Sequence, residues 1–355
     1  MADFLRGKRI LIISPENWAM PYVSKHHYAI ELLRKNNDVW YCGPNDAPGR
    51  TTEGITTLAN PKTLKGIRFL PIWIRWLFNR RTARYFNTIC GGKIDIVWSF
   101  DTSRLFDLRQ LFPDSLRILH ITDFNMEFAW KKSIRQADIC LGVSDLICNK
   151  LKKNHGAVFK IPHGCSPNPL PIAPANVIPN TAAYAGNLNI PYINLHLMSQ
   201  LIRHYSHVSF HFYGPYIARA EERNAETSMG EILALPNVTH HNTLPAEALQ
   251  HELATKSILL LCYDQRYREQ IANPHKLMTY LSAGRPILST TLLEYQWLDA
   301  LVCFEDNVGA YLKKFGELIE ADDKNTDARI RVAQEHAYPH ILEKISRILE
   351  LHTNG

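Results

Sequence analysis

The sequence predicts an α/β chain of two doubly wound domains in tandem, each a parallel sheet covered by helices on both faces. Three observations predict it. Short apolar runs alternate with amphipathic stretches along the chain, which is how strands buried on both faces and their crossover helices read. A proline cluster splits the alternation into two sets. The sets also differ in charge: residues 1–165 carry 25 Lys and Arg against 14 Asp and Glu, while residues 166–355 carry 15 against 20.

In the front set the strand candidates are "RILII", "DVWYC", "IDIVWS", "LRILHI", "ADICLGV" and "AVFKI", with helical stretches such as "SKHHYAIELLRK" and "SDLICNKLKK" between them. Behind come "TAAYAG", "VSFHFYG", "SILLLCY", "RPILST" and "LVCF". Between them "PHGCSPNPLPIAPANVIP" holds six prolines, which forbid a helix or a central strand and read as a semi-stiff linker over residues 166–180. The expected partition is residues 1–165, the linker, and residues 181–336, followed by a helix over 337–355. In such sheets ligands bind at the carboxyl ends of strands, and a two-domain chain is expected to use the cleft between them.

Composition narrows the function classes. With 46% hydrophobic and 21% charged residues among 355, the chain reads as soluble and globular. No apolar run approaches the roughly 20 residues that span a bilayer. The Ile10–Ile13 run is too short for the apolar core of a signal peptide. Seven cysteines, an odd number without C-x-x-C spacing, imply neither a disulfide framework nor a zinc site, so a reducing cytosol is expected. G-x-G-x-x-G and Walker A are both absent, which disfavours hydride transfer and P-loop hydrolysis. No D-x-D occurs, and the histidines form no convincing H-x-x-x-H pair on a helix face, so no metal site is expected.

One segment carries chemistry. In "NPHKLMTYLSAGRPILST", residues 273–290, Asn273 is placed to cap a helix, Pro274 to be its first residue, and Gly284 to close it. His275 and Lys276 put cations in a first turn where the helix dipole disfavours them. A strand, "ILLLCY", and a polar loop precede it. Free amides at such a helix start make an anion site, and a lysine belongs there if the anion is a phosphate. The residues alone equally allow a surface lysine on a core helix.

This segment resembles the N-P-x-K-x-x-E-Y-x-x-x-G-x-P-V motif of GT-B glycosyltransferases. Other pieces follow in that superfamily's order. "ADICLGVSDLICNKL" with "VFKIPHGCSP" is similar to its A-D-x-V-x-x-x-S and I-P-N/H-G signature, and "AAYAGNLN" to the G-N-L opening of the second domain. "LPNVTHHNTLPAEALQHELATKSILLLCY" resembles its N-V-x-x-x-G to P-Y segment, and "HAYPHILEKISRIL" the last helix, which in this fold crosses back to the first domain. The resemblance implies a GT-B fold whose second domain holds a nucleotide diphosphate-sugar, UDP- or GDP-linked, as co-substrate without a cofactor. By position it assigns Lys276 and His275, at the helix start, to the diphosphate, and Asn273, Pro274, Leu277 and Thr279 to the donor, Thr279 standing where the motif's glutamate usually meets the ribose. It assigns Tyr213, Tyr263, His241 and Asn242 to the base and ribose, with His241 and Asn242 in the loop before "TLP". Gly186 and Asn187 would admit the donor close to the backbone. Two positions depart from the pattern: the motif's glutamate is Thr279, and "NLNIPYINLH" supplies no cation after the G-N-L turn.

An inverting transfer needs a base for the acceptor hydroxyl. "LRILHITDFNMEF" resembles the Y-x-x-x-D turn of xanthan-type glucuronosyltransferases, which points to Asp123, with His120 second. Read as residues only, Asp123 is also a helix N-cap before "FNMEFAW". A retaining enzyme of the family-4 kind would need no such base. For the acceptor, "SPENWAMPYVSKHHYAIELL" follows the first strand and offers Trp18, Lys25 and His26.

Residues 54–94 contain eight Lys and Arg and no acid. Within them residues 64–86 mix tryptophans with arginines, a pattern suited to an anionic membrane surface. The alternative is that the aromatics are core and the arginines a solvated face; nucleic acid has no recognition module to support it. The expected protein is a metal-independent glycosyltransferase of polysaccharide or glycolipid assembly. It would be peripheral on the inner face of the cell membrane, with a lipid-linked saccharide acceptor. Its rivals are a nucleotide-sugar 2-epimerase of the same fold and an inactive scaffold.

Overall fold

The computed structural model describes residues 3–20, 22–61, 71–102, 107–123, 133–165, 176–218 and 227–353. The chain forms two compact units, one of Met1–His163 with Tyr338–Gly355 and the other of Gly164–Ala337.

The first unit is built on β1 (Arg9–Ile13), β2 (Asp38–Cys42), β3 (Gly49–Arg50), β4 (Thr56–Thr57), β5 (Ile96–Ser99), β6 (Leu116–Ile121), β7 (Ile139–Gly142) and β8 (Val158–Lys160). They lie in the order β3-β4-β2-β1-β5-β6-β7-β8. Every pairing is parallel except the two-residue β3–β4 contact. Parallel strands need crossovers, and the helices Ser24–Arg34, Ile72–Ile89 and Asp145–Lys152 supply them. The last helix, Tyr338–Thr353, returns to this unit and buries Tyr338, Ile341, Leu342, Ile345 and Leu349 in one cluster with Tyr28, Ala29 and Leu32.

The second unit holds β9 (Ile178–Ala185), β10 (Ser209–Tyr213), β11 (Val238–His241), β12 (Lys256–Leu261), β13 (Ile287–Ser289) and β14 (Val302–Phe304). Their order is β11-β10-β9-β12-β13-β14, all parallel. Counted from β9 this is 3-2-1-4-5-6, the doubly wound arrangement whose strand order reverses between β9 and β12.

Three expectations change. The proline stretch was to run to residue 180, yet Ile178–Pro179–Asn180 open β9. Asn180 takes φ 54°, and the β9–β12 register shifts between Lys256 and Ile258, so the strand absorbs its proline at an exposed, bulged start. Residues 166–175 of that stretch lie outside the described residues. The second unit begins at Gly164, because the Cys165 amide donates to the His336 carbonyl at 2.7 Å and pairs the chain's entry with its exit. His241, expected in a loop, ends β11.

Candidate functional site

The reversal point of the second sheet is shaped by glycines. Gly186 follows β9 with φ +142°, and Gly214 follows β10 with φ +135°. The Gly186 amide donates to the Tyr213 carbonyl (2.8 Å), and the Gly214 amide to that of Asn242 (2.9 Å). A Cβ on Gly214 would stand 2.0 Å from the Gly186 carbonyl oxygen, and one on Gly186 would stand 2.3 Å from Lys276 Nζ. Both positive φ values and the missing space require glycine. Beyond Gly186 the chain folds over the end of β12. The Asn194 amide donates to the Cys262 carbonyl, and the Asp264 amide to that of Tyr192. The Asn187 carboxamide oxygen accepts the Asn189 amide, which holds the turn.

Lys276 reaches this point from the first residue of the helix Lys276–Ala283, which ends at Gly284 in the left-handed conformation. Its ammonium donates to the Tyr184 hydroxyl at 2.7 Å and stands 4.2 Å from the Tyr184 ring centroid and 5.4 Å from that of Tyr263. Among the described residues no carboxylate pairs with it. Desolvation by the surrounding rings lowers its pKa to about 7. The neighbouring phenols cannot supply the missing charge. Burial raises both Tyr184 and Tyr263 well above the ordinary phenol value. The result is one buried amine, its charge matched by no carboxylate among the described residues, at the carboxyl end of β9 beside β12.

The helix start differs from expectation. The N-cap position falls on His275, whose φ and ψ of −51° and −34° are already helical, and the Leu277 amide bonds back to the Pro274 carbonyl in a tight first turn. Asn273 is not the cap: its carboxamide oxygen accepts the Tyr295 hydroxyl. The Leu277 side chain is fully buried in the unit's core, which leaves only its backbone to face a ligand. Thr279, one turn on from Lys276, is partly exposed.

Tyr213 and His241 meet on neighbouring strands, with ring centroids 4.6 Å apart and planes 11° from parallel. The Tyr213 hydroxyl donates to Glu252 (2.9 Å), which also takes Lys256 Nζ (3.1 Å). His241 Nε2 shares a hydrogen bond with His211 Nδ1 at 2.9 Å. Desolvation lowers the pKa of both imidazoles, that of His211 to about 4. Asn242, exposed beyond them, contributes its carbonyl to Gly214.

In the first unit Asp123 stands two residues beyond β6, exposed, with the Thr122 hydroxyl 3.4 Å away. The helix it was to cap falls on residues 124–132, outside the described residues. His120 is a correction. It is fully buried among Tyr28, Trp98 and Phe100, with neither ring nitrogen hydrogen-bonded, and desolvation lowers its pKa to about 3. An imidazole so enclosed is a poor proton acceptor.

Trp18, Lys25 and His26 do come together, but facing inward. Trp18 packs against His26 and Tyr41. Lys25 Nζ is held by Glu16 at 3.0 Å, with its side chain buried. His26 accepts the Val23 amide through Nδ1 and meets the Asn17 carbonyl through Nε2, closing the start of the helix Ser24–Arg34. All three brace the loop after β1 rather than offering free groups to an acceptor.

No family model and no curated protein matches the sequence. Solved structures do match its fold along nearly the full length. A glycosyltransferase from Rickettsia africae aligns with a TM-score of 0.69 at 11% identity, covering 98% of each chain. Sucrose-phosphate synthase from Thermosynechococcus elongatus gives 0.69 at 12%, covering 98% of this chain and 100% of its own. HepE from Anabaena, solved with UDP and glucose, gives 0.64 at 11%, covering 97% and 99%. The chain has the GT-B fold. Identities this low carry the fold and nothing finer.

Two residues of the GT-B chain's Lys276 cluster were not singled out from sequence. Gly214 carries a readable signal, a glycine directly after an apolar strand in "FHFYG", as Gly186 is in "AAYAG". Tyr184 looks like any strand aromatic; only the lysine arriving from 92 positions away gives its hydroxyl a role. Among the described residues no three His, Cys, Asp or Glu side chains gather as a metal would require.

Proposed function

We propose that the protein is a glycosyltransferase that moves a sugar from a nucleoside diphosphate-sugar to a saccharide acceptor, lipid-linked, in polysaccharide or glycolipid assembly. The observation that carries the reading is the uncompensated Lys276 ammonium at the strand-order reversal, beside two glycine turns. A diphosphate supplies the missing negative charge, and the glycines let its oxygens approach the main chain. Two of the matched structures support the reading: HepE is in complex with UDP and glucose, and WaaB is a lipopolysaccharide outer core galactosyltransferase.

In the proposed reaction the bond between the sugar's anomeric carbon and the β-phosphate oxygen breaks, and its electrons stay on that oxygen. Charge therefore grows on the diphosphate as the sugar becomes oxocarbenium-like. A cation fixed beside that oxygen favours the transition state over the bound donor. The acceptor hydroxyl attacks the anomeric carbon and gives its proton to a base, with inversion. Asp123 is the candidate: it is exposed at a strand's carboxyl end, whereas His120 is enclosed. Tyr213, His241 and Asn242 are the candidates for the nucleoside end, and Thr279 for the ribose.

Isothermal calorimetry with UDP and GDP tests the reading. The wild-type chain binds one of them, and Lys276→Ala weakens it by roughly 10- to 150-fold, the value of one charge-assisted hydrogen bond. Equal affinity in the two proteins removes the proposed donor site. Product analysis with and without acceptor saccharide separates transfer from 2-epimerisation, which consumes donor alone.

A further inference from the structure

We propose that the outer face of the helix Ile72–Ile89 docks the first unit onto an anionic lipid bilayer. The helix divides its aromatics. Phe86 is fully buried against Leu11, Ile13, Phe112 and their neighbours, with Tyr85 packed beside them and its hydroxyl on the Ala59 carbonyl at 2.8 Å. Trp73, Trp76 and Leu77 face outward, 64%, 47% and 54% exposed. At helical spacing, residues 73, 76, 77, 80, 81 and 84 form one continuous stripe. Its amino-terminal half is apolar, and its carboxyl-terminal half is Arg80, Arg81 and Arg84, all exposed.

Single exposed apolar residues are ordinary on a soluble surface. Here three large ones adjoin within about a turn and continue into three cations. The Arg80 guanidinium lies 4.6 Å over the Trp76 ring, the arrangement of a side chain whose stem follows apolar surface while its charge stays at the polar boundary. Among the described residues no carboxylate pairs with Arg80, Arg81 or Arg84, and the sequence has no acid between Glu53 and Asp95.

The occupant follows from that order of chemistry. Tryptophan and leucine suit the acyl boundary, and arginines beside them suit lipid phosphates. A second copy of the same face, paired in parallel, would set arginines against arginines. Paired antiparallel, it would bury guanidinium groups under the tryptophans with no carboxylate in the stripe to pair them. A nucleic-acid duplex would leave Leu77 and the tryptophans without an apolar partner. The docking goes beyond the donor reading and does not depend on it, since the donor candidates lie in the other unit.

The test is cosedimentation of the full chain with vesicles of pure phosphatidylcholine and of phosphatidylcholine mixed with phosphatidylglycerol, whose headgroups supply the negative surface potential of an anionic leaflet. Two variants are compared, Arg80→Ser/Arg81→Ser/Arg84→Ser and Trp73→Ser/Trp76→Ser/Leu77→Ser. The wild type pellets with the anionic vesicles only. At about fivefold for each basic residue near the surface, the arginine variant partitions roughly a hundredfold less. The aromatic variant also loses binding, and its tryptophan emission no longer shifts to the blue on adding vesicles. All six positions are exposed, so melting temperature and nucleotide affinity should match the wild type. Failure of the wild type to pellet, or equal partition of all three proteins, overturns the proposal. So does a tighter grip on duplex DNA than on vesicles, or a changed oligomeric state of the variants in sedimentation velocity. Nucleotide binding measured alongside keeps failure here distinct from failure of the donor assignment.

Discussion

If Lys276 meets a diphosphate, donor binding must take up a proton. In the free protein, desolvation sets the lysine near pKa 7, so about half the molecules carry a neutral amine at pH 7 and about nine-tenths at pH 8. An anion at hydrogen-bond distance favours the charged form and returns the pKa toward the ordinary lysine value of about 10.4. Binding then draws in about half a proton at pH 7 and about nine-tenths at pH 8. Affinity falls toward tenfold per pH unit above 7 and levels off below it. The ligand should be an intact nucleotide-sugar, whose diphosphate diester does not itself titrate in this range. Calorimetry in buffers of differing ionisation enthalpy reads the proton number directly. Lys276→Arg keeps its charge throughout and should show no uptake. Tight binding at pH 8 with no proton taken up would refute the lysine's part in the site.

The stability sign is fixed by the same shift. Between pH 7 and about 10 the unfolded chain holds more protons at residue 276, so this group's contribution to stability rises with pH. Lys276→Met should therefore raise the melting temperature most at pH 6 and have least effect near pH 10; a pH-independent difference would contradict the desolvated amine. Gly214→Ala forces a Cβ to within 2.0 Å of a carbonyl oxygen and should cost about 2–4 kcal/mol in urea unfolding, whereas a loss under about 0.5 kcal/mol would mean the turn yields easily. Asp123→Asn should lower turnover about a hundredfold or more with nucleotide affinity unchanged, and a fully active variant would remove Asp123 as base. His120→Phe replaces two unpaired buried nitrogens by carbon and should stabilise by about 1 kcal/mol or more; destabilisation together with lost activity would return His120 to the reaction.

The strands that mattered most were legible because a parallel sheet buries both faces and leaves nearly continuous apolar runs. The core of eleven of the fourteen described strands could be marked from "RILII" to "LVCF"; the two-residue β3 and β4 were not, nor was β11, since "VTHH" is an edge strand with polar exposure. That same continuity hid His120. With no polar alternation to read, nothing in "LRILHI" says that this side chain turns into a cage of Tyr28, Trp98 and Phe100. Lys276 was legible through its helix-start context, but its surroundings were not. Tyr295 takes the Asn273 oxygen from 22 residues away, and Tyr184 meets the ammonium from 92. Trp18, Lys25 and His26 were grouped but face inward, because a buried lysine held by a partly exposed glutamate, as Lys25 is by Glu16, looks in sequence like two surface charges.

The backbone pairing of Cys165 with Ala337 makes residues 164–337 an insertion within the first unit's sequence rather than a second bead on a string. Departure and return share one doorway. A genetic splice at that doorway should release the second unit as a free-standing piece, while a short join from His163 to Tyr338 would close the remainder around its terminal helix. If the Lys276 site holds the donor, donor preference would then travel with one contiguous block.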